Sequence, residues 1–492
     1  MTMHSATARL GVDVCLTQTE GTDVPQCPHG PMLLFERFFK DGRPPRKFYA
    51  CSACRDRKDC AFFQWEDEKL SQARNKAHDE IIKQSKPSSR QTEICKELDS
   101  LLSSSKKDED CSWLFCHSCN LLFMEETEKH KGHESQRGEK LEELKHPSLI
   151  LKPQENVKAH AQFLFSTKST QFLVSLIRKM GFKKVLCLGT PRIHEKIQLD
   201  RSKGNKKNYL DSLLLDIDYR YGQFNQKSKF CYYNMFNHHF FNEDSKAIFK
   251  DFLKSGGDRE IILVMDPPFG GLVEVLAATV RKIWNVWREK NGMKKDVSHE
   301  LPTLWIFPYF MESHIETSLP NLKMMDYKVD YENHPHFKGK QDKGSKRGSP
   351  VRIFTNIKPC DIKLPADQGY KYCKICERFV APENRHCPEC DSCTSKDGRQ
   401  YIHCHQCGTC VKPGRTHCPT CNHCELPSHD CTRSSSVAGC HICGDVGHKR
   451  RDCPNRPKND PKSNKKDVKH TKGKKRQLKE PKAPVKKKKK KS

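Results

Sequence analysis

The sequence predicts an α/β fold, an open sheet with helices on both faces, surrounded by several small metal-stapled domains. Three observations predict it. Residues 155–358 alternate short apolar runs with segments of helical periodicity. The segments on either side are dense in Cys and His at metal-ligand spacings. The end of the chain is almost purely basic, with 18 Lys/Arg against 3 Asp/Glu over residues 455–492. The formal charge is 89 − 61 = +28, of which this tail carries +15 and the rest +13. Hydrophobic residues make up 35% and charged residues 30%, so only part of the chain is expected to pack a core.

The elements follow in order. Leu70 to Lys83 is predicted helical, with a polar linker through 110. Phe172 to Met180 has helical periodicity and stops at Gly181. Val185–Leu188, Ser212–Ile217 and Lys229–Met235 are predicted strands. Ala247 to Leu253 is a helix broken by Gly256-Gly257. Ile261–Met265 is a fully apolar strand and Leu272–Trp287 a helix. Leu304–Phe307, Met324–Tyr331 and Val351–Ile357 complete the strand set.

Composition excludes some classes. No apolar run approaches the roughly 18 residues of a bilayer span, so no membrane partner is expected. The N-terminus shows no basic-then-apolar signal pattern. A reducing compartment is therefore expected, and the 27 cysteines read as metal ligands rather than disulfides. The tail, residues 455–492, lacks the apolar surface to order itself and reads as a disordered polyanion-contacting and nuclear or nucleolar delivery segment.

The Cys/His segments divide by spacing. Cys440-x2-Cys443-x4-His448-x4-Cys453, within 438–454, is a zinc-knuckle spacing, with Lys449, Arg450 and Arg451 beside it for phosphate contact. Residues 373–431 contain a repeat. Shifted by 31, Cys373, Cys376, His386, Cys387, Cys390 and Cys393 superpose on Cys404, Cys407, His417, Cys418, Cys421 and Cys424. Interleaved sites are expected: Cys373, Cys376, His386, Cys393; then Cys387, Cys390, His403, Cys410; then Cys404, Cys407, His417, Cys424; then Cys418, Cys421, His429, Cys431. Cys116-x2-Cys119-x10-His130-x2-His133, within 111–135, looks like a shortened Cys2His2 finger. Near the N-terminus stand Cys27-x-His29, Phe48-Tyr49-Ala50-Cys51 and Cys60-Ala61-Phe62-Phe63-Gln64-Trp65. This last pattern, within 25–70, resembles the GRF zinc finger. The resemblance implies Cys27, His29, Cys51 and Cys60 as ligands, leaves Cys54 spare, and implies single-strand binding through aromatic rings and basic side chains. In all, up to seven zinc ions would use 20 of the 27 cysteines. Of the others, Cys187 and Cys231 read as core.

Residues 370–432 also resemble the cysteine-rich domain of protein palmitoyltransferases. The D-H-H-C nucleophile of that family would fall at Tyr401-Ile402-His403-Cys404, where its Asp and first His are missing. A scaffold is expected there rather than an S-acylating centre.

The strand Ile261–Met265 runs into Asp266-Pro267-Pro268-Phe269. Polar and proline residues at a strand end place this segment at the carboxyl edge of the sheet, where open α/β sheets bind ligands. The tetrapeptide resembles the [D/N/S]-P-P-[Y/F/W] signature of amino-methyltransferases that use S-adenosylmethionine. In that chemistry, a carboxylate (Asp266) and a carbonyl (Pro267) accept the N–H groups of an adenine amine and aim its lone pair, while Phe269 stacks on the base. The resemblance extends to Val185–Pro191 as first strand and cofactor loop, with Gly189 at its turn. It extends to Asp216 as the acid on the cofactor ribose and to Arg192 as a partner for the methionine carboxylate. Asn234 and Met235 would flank the cofactor adenine. Gln162-Phe163-Leu164-Phe165 resembles the Q-F-x-[F/Y] element of the N6-adenine-methyltransferase-like family.

Over residues 25–454 the order of modules resembles the CCHC-zinc-finger ribosomal-RNA adenine N6-methyltransferases of animals. That resemblance implies a Rossmann-like class I S-adenosylmethionine-dependent sheet over 155–358 and N6-methylation of an adenosine in large-subunit ribosomal RNA. It also implies a nuclear and nucleolar address with some cytoplasmic protein, and RNA helicases or ribosome-assembly factors as further partners. Two alternatives stay open at this level: a protein lysine methyltransferase with the same bracket, and a non-catalytic zinc-dependent RNA-binding scaffold.

Overall fold

Eight strands form the central sheet of the protein, seen in a computed structural model. They are β1 (Lys184–Leu188), β2 (Asp211–Asp216), β3 (Phe230–Asn234), β4 (His239–Phe240), β5 (Ile261–Met265), β6 (Thr303–Pro308), β7 (Lys323–Met325) and β8 (Val351–Thr355). Their order is β4-β3-β2-β1-β5-β6-β8-β7. The five strands from β3 to β6 are parallel; β4 runs against β3, and β8 runs against both β6 and β7. The helices are α1 (Thr167–Lys179), α2 (Pro191–Ser202), α3 (Glu243–Phe252), α4 (Val273–Lys290) and α5 (Glu312–Ser318). The structure describes residues 11–16, 24–39, 41, 43–54, 57–88, 93–94, 96–97, 112–123, 130, 132–154, 162–202, 209–255, 260–293, 299–333 and 349–431. These fall within one unit, 10–435. The knuckle residues Cys440, Cys443, His448 and Cys453, the basic tail and Gly256-Gly257 lie outside the described residues.

Parallel strands covered on both faces read as continuous apolar runs, and alternate side chains go to opposite faces. Leu186, Leu188, Leu213, Leu215, Leu263 and Met265 pack with Leu276, Val280 and Trp284 of α4 and with Met32 and Phe62 near the N-terminus. Val185, Cys187, Leu214, Ile262 and Val264 pack with Leu173 and Ile177 of α1 and with Trp113, Phe115 and Leu122. The N-terminal finger therefore completes one face of the sheet and the second finger the other. Cys187 and Cys231 are fully buried.

Helix starts follow local chemistry. Ser166 caps α1 by accepting from the Ser169 N–H, and Asn242 caps α3 by accepting from Ser245, with Glu243 and Asp244 in its first turn. The sequence reading misses α2 and α5 because their periodicity is weak: α5 buries only Ile315. It also overextends one strand. β7 ends at Met325, and the chain continues to Tyr331, which makes an isolated antiparallel bridge with Phe165.

The finger at the N-terminus is a four-stranded antiparallel sheet of Gly11–Cys15, Leu33–Phe38, Arg46–Ala50 and Phe63–Trp65. Its first strand lies outside the expected 25–70 boundary. A helix, Gln72–Gln84, follows it. The stretch expected to be a polar linker contributes Ile94, which is fully buried in the core. The second finger centres on Trp113–Cys116, flanked by Leu121–Phe123 and Ser135–Gly138. Gln223 ties it to the sheet domain, accepting from the Leu122 N–H and donating to the Asn120 carbonyl, both at 2.9 Å. The later Cys-rich segment is a row of two-stranded hairpins. Its first part is anchored by buried Asp326, which accepts from Ala381 N at 2.9 Å and Asn384 Nδ2 at 2.7 Å. Among the described residues no helix is long and apolar enough to cross a membrane.

Candidate active site and metal centres

Four neighbouring parallel strands deliver one residue each to a single cavity of about 250 Å³. Gly189 follows β1, Asp216 ends β2, Asn234 ends β3 and Asp266 follows β5; all four line it. Gly189 has φ +64°, which suits glycine, and a Cβ there would come within 2.8 Å of Met235 Cε and 3.3 Å of the Asp266 carbonyl. The turn therefore has to be glycine for the two strand ends to approach. The Asp266 N–H donates to the Leu188 carbonyl at 3.2 Å, which ties the bracket to β1. The bracket then folds back, with the Gly271 N–H donating to the Pro268 carbonyl at 2.8 Å.

The two acids of the cavity sit in different surroundings. Asp216 is 7% exposed and accepts from the Asp218 N–H at 2.9 Å. Burial, then the nearby Asp218 charge, push its carboxyl up to about 7. Among the described residues no cation pairs with it. A buried carboxyl with spare acceptor capacity at the end of the second strand fits the paired hydroxyls of a ribose. Burial also pushes Asp266 well above the usual carboxylate range, partly countered by the Tyr331 hydroxyl, which donates to Asp266 Oδ1 at 2.9 Å. Phe269 stacks on Phe163 with ring centres 6.3 Å apart, and meets Tyr331 edge-on at 5.9 Å. Glycine cradle, ribose-type acid and apolar aromatic wall together fit S-adenosylmethionine.

Pro267, Pro268, Gln162, Phe163, Leu164 and Met235 line the cavity as well. Gln162 also braces the wall from behind. Its Nε2 donates to Asp218 Oδ2 at 2.8 Å, and Asp218 is in turn paired with buried Arg220. Two expectations need correction. Arg192 does not line the cavity; its guanidinium grips both carboxylate oxygens of Glu332, at 3.0 and 2.9 Å, and so is not directed at a cofactor carboxylate. Phe165 is core: it is 2% exposed and packs on Tyr331 with ring centres 5.2 Å apart. Asn234 lines the cavity, but its amide is committed elsewhere. Its Nδ2 donates to the His29 carbonyl at 2.7 Å and to Ser52 Oγ at 2.9 Å, and its Oδ1 accepts from Phe236 N.

Sequence reasoning missed several lining residues. Pro28 and His29 come from the N-terminal finger, Ser85 caps the following helix, Tyr219 follows β2 and Tyr232 lies on β3. No local pattern marks Tyr331, which lies 65 positions from Asp266.

The Cys/His sets also assemble. Zn–S near 2.3 Å and Zn–N near 2.0 Å in a tetrahedron place ligand atoms roughly 3.4–3.8 Å apart. The ligand atoms of Cys27, His29, Cys51 and Cys60 lie within 4.8 Å of one another, as do those of Cys116, Cys119, His130 and His133. The same holds for Cys373, Cys376, His386 and Cys393, for Cys387, Cys390, His403 and Cys410, and for Cys404, Cys407, His417 and Cys424. In the last hairpin His429 Nε2 is 3.3 Å from Cys421 Sγ and 3.2 Å from Cys431 Sγ, and Cys418 Sγ is 3.7 Å from Cys431 Sγ. Backbone N–H groups, first those of Cys390 and Cys421, hold Cys387 down to about 7 and Cys418 to about 6, while burial pushes Cys410 and the neighbouring Cys418 sulfur pushes Cys431 up to about 11. Cys54, spare by resemblance, is buried beside the first set, its Sγ 3.8 Å from His29 Nε2.

The outer sheet of that finger carries rings and guanidiniums together. Phe35 stacks on Phe48 at 5.5 Å, Arg46 lies over Trp65 at 4.1 Å and Arg57 over Phe63 at 3.8 Å. Such a face suits bases and phosphates of a single strand.

Comparison with known proteins agrees with this geometry. The family described as probable N6-adenine methyltransferase matches residues 156–356, and the GRF zinc finger matches residues 25–69. A Homo sapiens protein named rRNA N(6)-adenosine-methyltransferase ZCCHC4 is 48% identical over 452 residues, covering 90% of this chain and 85% of that protein. The chain belongs to this family. The Bos taurus member is 49% identical over 456 residues, with the same coverage. The Xenopus tropicalis member is 46% identical over 449 residues, covering 90% of this chain and 89% of its own. As a family member the chain is a methyltransferase that uses S-adenosylmethionine and binds zinc.

Proposed function

We propose that the protein transfers a methyl group from S-adenosylmethionine to N6 of one adenosine in large-subunit ribosomal RNA, with its zinc modules binding and presenting the strand. The supporting observation is the convergence of Gly189, Asp216 and Asp266 on one cavity walled by Phe163 and Phe269. The relatives' names, rRNA N(6)-adenosine-methyltransferase, point to the same substrate class.

Bound S-adenosylmethionine supplies an electrophilic methyl group on sulfur. Asp216 would hold the ribose hydroxyls, and Gly189 leaves room for the cofactor close to β1. The adenine amine is a weak nucleophile because its lone pair is delocalised into the ring. Asp266 and the Pro267 carbonyl accept its two N–H groups, which draws nitrogen towards tetrahedral geometry and frees the lone pair. As the N–C bond forms, the methyl–sulfur bond breaks with its electron pair staying on sulfur, and one of these N–H protons passes from the methylated amine to water. Phe269 offers a ring face to a base taken out of its stack. Zinc at Cys27, His29, Cys51 and Cys60, at Cys116, Cys119, His130 and His133, and along 373–431 would hold the RNA-facing modules in place. We place the protein in the nucleus and nucleolus, where its RNA is assembled, with some in the cytoplasm. An RNA helicase or ribosome-assembly factor would open the substrate.

The test is mass spectrometry of nucleosides from ribosomal RNA incubated with enzyme and deuterated methyl donor. N6-methyladenosine carrying the label is expected from the natural enzyme and none from Asp266→Ala, with RNA affinity retained. Label on protein lysine instead of RNA would overturn the assignment.

A further inference from the structure

Asp266 has a neighbour whose position matters more than its place in the chain suggests. Tyr331 is 2% exposed, and its hydroxyl donates to Asp266 Oδ1 at 2.9 Å. Its backbone is fixed on both sides: Ser166 N donates to the Asp330 carbonyl at 2.8 Å and Glu332 N to the Leu164 carbonyl at 2.9 Å. Its ring is wedged among Phe163, Phe165 and Phe269. A hydroxyl held this rigidly has little freedom to leave the carboxyl it bonds.

We propose that Tyr331 is a positioning residue for methyl transfer, holding Asp266 by Oδ1 so that Oδ2 is presented to the substrate amine as an acceptor. This deepens the proposed N6-adenosine reaction and rests on it. The physical need is clear. A half-buried carboxyl against an apolar aromatic wall leans towards its neutral form, which carries an O–H that would point a proton at the amine. A fixed hydroxyl donor stabilises the carboxylate and leaves one oxygen with a defined direction. It also keeps Asp266 from swinging between rotamers when the base arrives.

Other titratable groups around the bracket are His29 from the N-terminal finger, Asp216 and Asp218 after β2, Tyr233 on β3, and Asp330 and Glu332 beside Tyr331. Asp218 is paired with Arg220 and Glu332 with Arg192. Asp216 and Asp330 remain as carboxyls, but both persist when only the Tyr331 hydroxyl is removed, so they cancel in the comparison.

The experiment measures kcat, and KM for cofactor and RNA, against pH for the zinc-loaded full chain and its Tyr331→Phe variant. Expected is a fall in kcat of about tenfold at neutral pH with both KM values unchanged, since one hydrogen bond to a charged group is lost. The acidic limb of the kcat profile should move up by about one pH unit, so that activity partly recovers in alkali. An unmoved limb would overturn the inference, because a packing role alone changes rate without changing protonation. Replacing Tyr331 with 3,5-difluorotyrosine, a stronger donor of nearly equal size, should move the limb the other way, and an unmoved limb there also overturns it. A natural enzyme that leaves RNA unmethylated brings down the parent reading and this inference together, whereas an active one with unmoved limbs brings down this inference alone.

Discussion

The side-chain amide of Asn234, at the end of β3, donates to the backbone carbonyl of His29 in the N-terminal finger at 2.7 Å. Asn237 adds a second bond to the same carbonyl at 3.1 Å and one to Pro31 at 2.9 Å. Gly30 lies so close to His239 that a Cβ there would come within 2.5 Å of the imidazole. The loop bearing the first metal set is thus clamped to the sheet, with Pro28 and His29 forming part of the cavity wall.

This clamp predicts that zinc in the finger supports cofactor binding before any RNA is present. Cys60→Ser should lose one zinc ion by native mass spectrometry and weaken S-adenosylmethionine binding by roughly tenfold or more in calorimetry. Asn234→Ala should keep the zinc and weaken the cofactor too, since it removes one of the two donors to the His29 carbonyl and leaves the buried Phe236 N–H without its acceptor, at a cost of about 1–3 kcal/mol. Full cofactor affinity in a zinc-free finger would show that the finger closes nothing.

Gly189 gives a sharper steric test. Its φ is +64°, and a methyl group there would meet Met235 and the Asp266 carbonyl. Gly189→Ala should cost about 1–2 kcal/mol of stability from backbone strain and abolish measurable cofactor binding. The melting temperature and a titration report the two effects separately. Intact binding would mean that the strand ends tolerate separation.

Much of this site was legible in the sequence, for a physical reason. A parallel strand buried on both faces must be apolar throughout, so the abrupt breaks in the apolar runs at Gly189, Asp216, Asn234 and Asp266 mark where strands leave the core. The interleaving in 373–431 was readable because ligand spacing repeats with the hairpins. Tyr331 and Gln223 were not readable. Their roles come from partners far along the chain, such as Asn120 for Gln223, and no local periodicity encodes that. Arg192 and Phe165 carried plausible local patterns, but a neighbouring Glu332 and a packed Tyr331 claimed them.

Asp216 predicts a pH dependence. Its carboxyl titrates near 3.9 in an unfolded chain and at about 7 in the fold. The folded-state value is raised, so the fold gains from the bound proton below the unfolded value and loses that gain as pH rises through about 7. Ribose hydroxyls favour the carboxylate. Cofactor affinity should therefore increase as pH rises through about 7 and level off above it, with proton release on binding. Asp216→Asn should bind more weakly and show a flatter profile. Calorimetry in buffers of different ionisation enthalpy measures both, and a profile as steep in Asp216→Asn as in the natural protein would assign the titration to another group.

The hairpin row predicts cooperative metal loss between neighbours. His386 and Cys387 are adjacent on one strand yet belong to different ligand sets, as are His403 and Cys404, and His417 and Cys418. Each short strand would therefore be held between two ions, and these segments bury too little apolar surface to keep their shape without them. Cys407→Ser should remove one zinc ion outright, because Cys407 Sγ sits 3.2 Å from His417 Nδ1 within its set. It should also speed chelator-driven release from the sets that share the strands His403-Cys404 and His417-Cys418. The N-terminal finger, tied to the sheet through Asn234 instead, should release its zinc at the natural rate. Time-resolved native mass spectrometry with a chelator resolves the order, and release confined to the mutated set would mean that each hairpin holds its ion independently.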